Sequence, residues 1–466
     1  MREKTQSNLN TSKVSWGLLF VLCGAIFLEG IDVSMIGVAL PSIRSELGMS
    51  TGSLQWVVSA YVLGYGGFML LGGRAADLFG RRKMFLTWLG IFLVFSGLGG
   101  LSSEGWMLIV ARFVTGVSAA FMTPAGLSII TTSFAEGPAR NKALLVYAGT
   151  AAAGFSLGLV VGGLLSEISW RWVFYGPVVL ALVIFLAAIR LIPNSGRPAP
   201  SARGFDLAGA ITVTGAMLLL VYGVVEAPNM GWGWTIAIFA GSIVLLAAFT
   251  AIERRSASPL MRLGILSTSS LVRANLGAMA FAGSFFGFQF VAVLYLQELR
   301  GWSSLETGLA LLAVGIDSVL APTLTPRLVN RFGNIPVIFG GFCLAAAAYA
   351  LFLPIGLDWT YAAMFPTMIL TGLAFSLTYG PLTIAATDGI SEEEQGLAGG
   401  LLNTSFQFGA ALGLAVVTAV NIAATVPDGT TQSLLDGYRT ALLVPIAASV
   451  LGLAVTAFGL RRRTAA

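Results

Sequence analysis

The sequence predicts an all-α membrane protein of fourteen transmembrane helices: two six-helix pseudo-repeats, two further helices inserted between them, and both termini in the cytoplasm. Three observations carry that expectation. The composition suits no aqueous fold, fourteen apolar runs have membrane-crossing length, and Lys/Arg clusters recur in alternate loops.

Of 466 residues, 56% are hydrophobic and 10% charged, with a mean hydropathy of +0.86. Soluble domains carry about 25% charged residues, and a single aqueous core stops growing near roughly 250–300 residues. Apolar surface on this scale needs lipid as its solvent. The net charge of +5 does not point to nucleic acid, because the cationic residues sit in short loops between apolar runs. Cys23 and Cys343 lie far apart inside apolar segments and read as packing residues, so neither a disulfide nor a metal site is expected. Histidine is absent, so proton chemistry near neutral pH falls to carboxylates. The first apolar run, near 14–40, is too long for a cleaved signal, and no A-x-A site follows it.

A helix needs about 20 apolar residues to cross the hydrocarbon core. By that measure the spans lie near 16–40, 52–72, 84–103, 106–131, 142–166, 172–192, 205–225, 232–252, 271–296, 304–325, 335–355, 359–386, 397–424 and 439–460. The break at Ser102–Gly105 separates the third from the fourth. Arg2, Lys4 and Lys13 precede the first span, and Arg74, Arg81, Arg82 and Lys83 follow the second. Arg140, Lys142, Arg190, Arg197, Arg203, Arg254, Arg255, Arg262, Arg327, Arg331 and Arg461–Arg463 continue on that side. The opposite loops hold Arg44, Arg171, Arg300 and Arg439, so the positive-inside rule places both ends in the cytoplasm.

Long polar stretches at 193–205 and 253–271 bracket the seventh and eighth spans. They divide the chain into an N-terminal bundle (1–192), an inserted pair with its loops (193–270) and a C-terminal bundle (271–466). An internal repeat supports the division. Gly73-Arg-Ala-Ala-Asp77-Leu-Phe-Gly80-Arg81 matches Pro326-Arg-Leu-Val-Asn330-Arg-Phe-Gly333-Asn334, and Val114-Thr-Gly matches Leu370-Thr-Gly at nearly the same offset. Repeated halves with a site between them are a transporter signature.

These motifs resemble the major facilitator superfamily, and specifically its fourteen-helix drug:proton antiporter branch, over essentially the whole chain. Gly73 through Arg82 is similar to the signature G-x-L-x-D-r-x-G-r-r. Asp32-Val-Ser-Met-Ile-Gly-Val-Ala-Leu-Pro41 is similar to D-x-t-x-v-n-v-A-L-P, and Trp170-Arg-Trp-Val-Phe174 to W-R-W-i-F. Two motifs depart from the pattern. Thr115 replaces the glutamine of R-x-x-Q-G after Arg112, and Leu159 replaces the proline of the antiporter motif that Gly154, Gly158, Gly162 and Gly163 otherwise keep. The resemblance implies that the cluster Gly73, Asp77, Gly80, Arg81 and Arg82 holds one conformation of an alternating-access cycle on the cytoplasmic side. It also implies that Arg112 takes part in proton coupling.

Charges inside the membrane cost at least about 2.5–3.5 kcal/mol each, so each needs a reason. Asp32 and Glu29 share one helix face. Two carboxylates in low dielectric disfavour joint ionisation, so the pair could exchange protons near neutral pH or attract a cation. Arg112 falls at a similar depth and could pair with Asp32. Asp317, about ten residues into its span, is expected near the midplane as a further acid for charge recognition. Glu226 and Glu298 at helix ends read as solvated surface charges. The glycines of the fifth span serve close helix packing. Phe286, Phe290 and Phe406 are candidates for an aromatic pocket, with lipid-facing packing as the plainer alternative.

The expected function is proton-driven export of small lipophilic, cationic drugs or antibiotics from the cell, through the plasma membrane. No catalytic residue and no cofactor is expected, protons serving as the coupling ion. The expected partners are the bilayer, the substrate and protons, with no nucleic acid, and the expected state is a monomer. A proton-coupled symporter or metabolite facilitator on the same fold is the alternative, which the missing proline leaves open.

Overall fold

The computed structural model describes residues 2–134, 138–193, 206–227, 230–256, 259, 263–388, 390, 395–426 and 430–463, which are almost wholly helical and contain no strand. The first six helices are α1 (Arg2–Leu47), α2 (Thr51–Phe79), α3 (Arg81–Gly100), α4 (Gly105–Ser133), α5 (Pro138–Ile168) and α6 (Trp172–Leu191). Then come α7 (Leu207–Glu226) and α8 (Trp232–Arg255). The rest is α9 (Ser269–Leu294), α10 (Ser304–Leu311), α11 (Asp317–Thr323), α12 (Thr325–Phe332), α13 (Asn334–Phe352), α14 (Tyr361–Thr387), α15 (Gln395–Ala424), α16 (Thr431–Ala441) and α17 (Leu443–Arg463).

Local chemistry sets several of these boundaries. Ser50 caps α2 by accepting from the Ser53 N–H, and Ser303 with Glu306 forms a capping box on α10. α2 stops at Gly80 (φ 96°) and α12 at Gly333 (φ 87°), the positions matched in the internal repeat, where a left-handed backbone favours glycine. Pro445 has no N–H to continue a helix across Leu442, and the chain turns there between α16 and α17. The span expected at 304–325 is likewise interrupted. A 3-10 stretch, Leu312–Ile316, separates α10 from α11, where Gly315 lies so close to α5 that a methyl group would meet Ser156 Oγ at 2.8 Å.

Among the described residues, twelve helices are long and apolar enough to cross a membrane. The expected spans 52–72 and 205–225 coincide with α2 and α7, which stand outside those twelve. The outward surface suits lipid: Trp232 and Trp234 of α8 are 84% and 72% exposed, and Val179, Val183 and Leu186 line an open face of α6. This is a multi-pass membrane protein.

The two halves share one packing scheme. α1 packs against α5 and α6, α2 against α4, and α3 against α4 and α6. Correspondingly, α9 packs against α15 and α17, the 312–323 segment against α14, and α13 against α14 and α17. Across the halves, α2 meets α15 and α5 meets α10, while α7 lies against α2, α15 and α8. Polar links tie the halves together toward the end of the bundle that carries Arg44. Arg44 pairs with Glu298 at 2.7 Å, the Gln297 amide donates to the Val38 carbonyl at 2.8 Å, and the Leu305 N–H donates to Glu167 at 3.1 Å. The halves are closed at that end.

Candidate functional site

Close glycine contacts bring the polar residues together. On α5, a methyl on Gly154 would meet the Phe27 carbonyl at 2.6 Å and one on Gly162 the Met35 Cα at 2.7 Å, while Gly158 lies against Ile31 and Ser34. The glycine spacing read in the sequence therefore seats α5 on the face of α1 formed by Phe27, Ile31, Ser34 and Met35, and leaves Glu29 and Asp32 on the side of α1 that faces α4. Gly163 faces the start of α10 instead, with Ser304 O at 2.7 Å from its missing methyl. Leu159, in place of the motif's proline, keeps a carbonyl against Gly308 of α10. Gly64 of α2 and Gly116 of α4 seat those two helices equally closely.

Arg112 reaches from α4 to Asp32, Nη1 to Oδ2 at 2.6 Å, with both side chains 1–2% exposed. Its Nε donates to the Val57 carbonyl at 3.2 Å, and its guanidinium lies 4.4 Å from the Tyr61 ring centre. A carboxylate, a carbonyl and a ring face thus surround one buried cation. The Thr115 hydroxyl donates to the Arg112 carbonyl at 2.9 Å, so the residue replacing the motif's glutamine completes its own helix turn.

Glu29 is held differently. The Thr123 hydroxyl donates to Glu29 Oε2 at 2.6 Å, and Tyr65 bonds the same carboxylate. Tyr147 of α5 and Tyr379 of α14 are close enough to interact with it electrostatically. Asp32 therefore faces a cation in a closed pair, whereas neutral hydroxyls hold Glu29, which is only partly buried.

An aromatic set continues from Tyr379. Tyr379 and Phe406 are 5.0 Å apart, Phe406 and Phe286 6.0 Å, and Phe286 and Phe155 of the opposite half 6.4 Å. Of the three phenylalanines singled out in the sequence, Phe286 and Phe406 meet. Phe290 is buried one turn further along α9, and none of the described ring contacts involves it. Asp317 is the first residue of α11, just after the 3-10 break, on a helix that packs against α5 and α14. Among the described residues no group of three His, Cys, Asp or Glu side chains could hold a metal ion.

In the loop signature, Gly73 faces Pro124 at an ordinary 3.8 Å and Gly80 makes the turn. Arg81 reaches the Ser128 carbonyl at 3.4 Å and Arg82 the Ile189 carbonyl at 2.7 Å, which fastens the loop to α4 and α6. The side chains of Arg74 and Asp77 lie outside the described residues.

Two readings need correction. Glu298 is no solvated surface charge: it accepts from Arg44 at 2.7 and 2.9 Å and from the Tyr438 hydroxyl at 3.1 Å, joining α1 to α16. A π-helical turn over Tyr295–Leu299 sets its direction, which a plain helical wheel does not anticipate. Glu226 accepts from the Trp56 indole at 3.0 Å. Beside the Arg44–Glu298 pair opens a cavity of about 630 Å³, lined also by Pro41, Leu294, Asn421 and Tyr438. Thr123, Tyr65 and Asn403 escaped the sequence reading. Thr123 lies eleven residues beyond Arg112, about three helical turns, so a search of that face for hydroxyls would have found it.

The Major Facilitator Superfamily model matches residues 22–414. The chain is 34% identical to the puromycin resistance protein pur8 of Streptomyces alboniger, over 92% of this chain and 87% of that one. It is 35% identical to the cephamycin export protein CmcT of Amycolatopsis lactamdurans, over 97% and 93%. Among solved structures it resembles the POT family transporter PepTSo (TM-score 0.69, 15% identity, 96% of this chain and 98% of that one). It also resembles the nucleoside transporter NupG (TM-score 0.68, 13% identity, 95% and 99%). At such identities these two show the fold alone.

Proposed function

This chain belongs to the Major Facilitator Superfamily, and from that premise we propose that it is a proton-driven exporter of small lipophilic, often cationic, antibiotics or drugs, working by alternating access in the plasma membrane. We place it in the fourteen-span branch, with both termini cytoplasmic and the inserted pair at 193–270 between bundles 1–192 and 271–466. It acts as a monomer and needs no cofactor beyond the coupling proton. Relatives named for puromycin resistance and cephamycin export support the substrate class.

The observation that carries the reading is the difference between two acids three residues apart. Asp32 is closed off by Arg112, whereas Glu29 meets only neutral hydroxyls and sits beside the aromatic set. On this reading Glu29 is the exchange site, where a proton and a lipophilic cation compete for one carboxylate. The Asp32–Arg112 pair keeps a fixed charge distribution beside it. Asp317 adds a negative charge from the other half. With the Gly80 loop cytoplasmic, the Arg44 end is the outer gate, closed here.

The energetics fit such exchange. One charge moved through 100 mV is worth about 2.3 kcal/mol. Swapping one proton for one monovalent cation cancels that drive and leaves the pH difference, while a second titrating acid restores it.

The test is ethidium efflux from energised cells, with and without a protonophore, for the wild type and for Glu29→Gln, Asp32→Asn and Asp317→Asn. Protonophore-sensitive efflux lost in Glu29→Gln supports the assignment. A wild type that moves no cation, or whose efflux ignores the protonophore, overturns it.

A further inference from the structure

Glu29 belongs to the N-terminal half, yet its surroundings extend into the other half by a short polar chain. The groups facing it are Asp32 on its own helix, Tyr61 and Tyr65 on α2, Thr123 on α4 with Arg112 acting through Asp32, Tyr147 on α5 and Tyr379 on α14. Of these, Tyr65 makes a second contact. The Asn403 amide, on α15 of the opposite half, donates to Tyr65 Oη at 3.4 Å and to Met69 Sδ at 3.2 Å. Tyr65 is 2% exposed, and the seam around it is tight: a methyl on Gly66 would meet Gln407 Cβ at 3.1 Å.

A phenol has one hydrogen to give and lone pairs to receive. Facing an ionised Glu29, Tyr65 commits its hydrogen to the carboxylate, and its oxygen, made more electron-rich, accepts from Asn403. Hydrogen bonds to a charged partner are roughly twice as strong as neutral ones, and linked bonds polarise one another. When Glu29 takes up a proton, the charge that organises this chain vanishes and the Asn403 contact weakens with it. We propose that Tyr65 and Asn403 are positioning residues that carry the protonation state of Glu29 across the α2/α15 seam to the C-terminal half. This rests on the proton-coupled reading above.

The experiment uses the full chain in lipid nanodiscs, with Cys23 and Cys343 replaced by alanine. Spin labels go on Ser133 and Arg331, which are exposed at the Gly80 and Gly333 ends of the two halves. Their distance distribution is recorded between about pH 8 and about pH 6, a range in which a tuned carboxylate can exchange protons. The wild type is expected to shift its distribution with pH. Tyr65→Phe and Asn403→Ala are each expected to shrink that shift at least about fivefold and to lower kcat for ethidium efflux about tenfold, with KM within about threefold. The double variant should be no worse than either single one, as linked members of one chain behave. Retention of the full pH shift in both single variants overturns the inference. Should Tyr65→Phe fail to fold, Asn403→Ala decides alone. A wild type without any pH shift, or with efflux indifferent to a protonophore, instead sinks the proton-coupled reading on which the inference stands.

Discussion

Replacing Asp32 by Leu would leave the Arg112 guanidinium buried, 2% exposed, with its carboxylate partner gone. Removing one member of a buried pair costs about 3–5 kcal/mol, because the surviving charge stays desolvated. Two contacts hold the cost to the lower half of that range. The Val57 carbonyl at 3.2 Å and the Tyr61 ring at 4.4 Å still receive the cation, and a desolvated cation–π contact is worth about 2 kcal/mol. A loss of about 3–4 kcal/mol is therefore expected for Asp32→Leu. Asp32→Asn keeps a neutral acceptor for Nη1 and should lose only about 2–3 kcal/mol, since the neutral bond retains roughly half the strength of the charged one. Arg112→Met is destabilising as well. The double variant Asp32→Leu/Arg112→Met, with no charge left to desolvate, should fall within about 1 kcal/mol of the wild type. Equilibrium unfolding of the purified protein in mixed detergent–SDS micelles, followed by tryptophan fluorescence, measures all four. A double variant as unstable as the sum of the singles would refute the reasoning, because the two side chains would then not form one desolvated unit.

Other outcomes follow from the geometry. Glu29→Gln should cut ethidium efflux at least about tenfold, equivalent to roughly 1.4 kcal/mol of transition-state stabilisation, as measured in energised cells. Arg44→Ala or Glu298→Gln should loosen the closed end. The pair is 35% and 21% exposed, so about 0.5–1.5 kcal/mol is at stake, and thiol labelling of a cysteine placed at Leu294, beside the cavity, should accelerate about two- to tenfold. Gly158→Ala should destabilise by about 1–3 kcal/mol through overpacking against Ile31 and Ser34. Gly37→Ala, with nothing within 4 Å of the added methyl, should be neutral or slightly stabilising. Thermal melts of the two variants in detergent would separate them, and equal losses would show that the α1–α5 contact is not the cause.

The membrane architecture was legible because lipid imposes a coarse rule. Every crossing segment must be apolar over its full length, so composition alone located α3, α4, α6, α8, α9, α13, α14 and α15 within a few residues. By contrast, α1 runs beyond the expected 16–40 at both ends, and the last span begins at Thr431 rather than at the expected 439. The pairing of Asp32 with Arg112 was legible too, since similar depth in one bundle left few other partners. Deviations from an ideal helix were not. The 3-10 stretch before Asp317 and the π turn that directs Glu298 toward Arg44 arise from packing between distant segments, Gly315 on Ser156 and α1 on α9, and hydropathy carries no trace of it. The roles of Thr123, Tyr65 and Asn403 were hidden for another reason. Hydroxyls and amides are common on membrane helices, and only proximity to Glu29 distinguishes these three.

α7 has a bearing on how the halves can move. The Thr214 hydroxyl donates to the Gly67 carbonyl at 2.7 Å and the Trp56 indole to Glu226 at 3.0 Å, so the helix is pinned to α2 at two points more than three turns apart. It also lies along α15. A rod riveted twice to one wall travels with that wall as a rigid passenger. Any rocking of the two halves must then appear as slippage along the face between α7 and α15. That face is a bearing surface: friction engineered into it would slow the stroke without touching the charges that drive it.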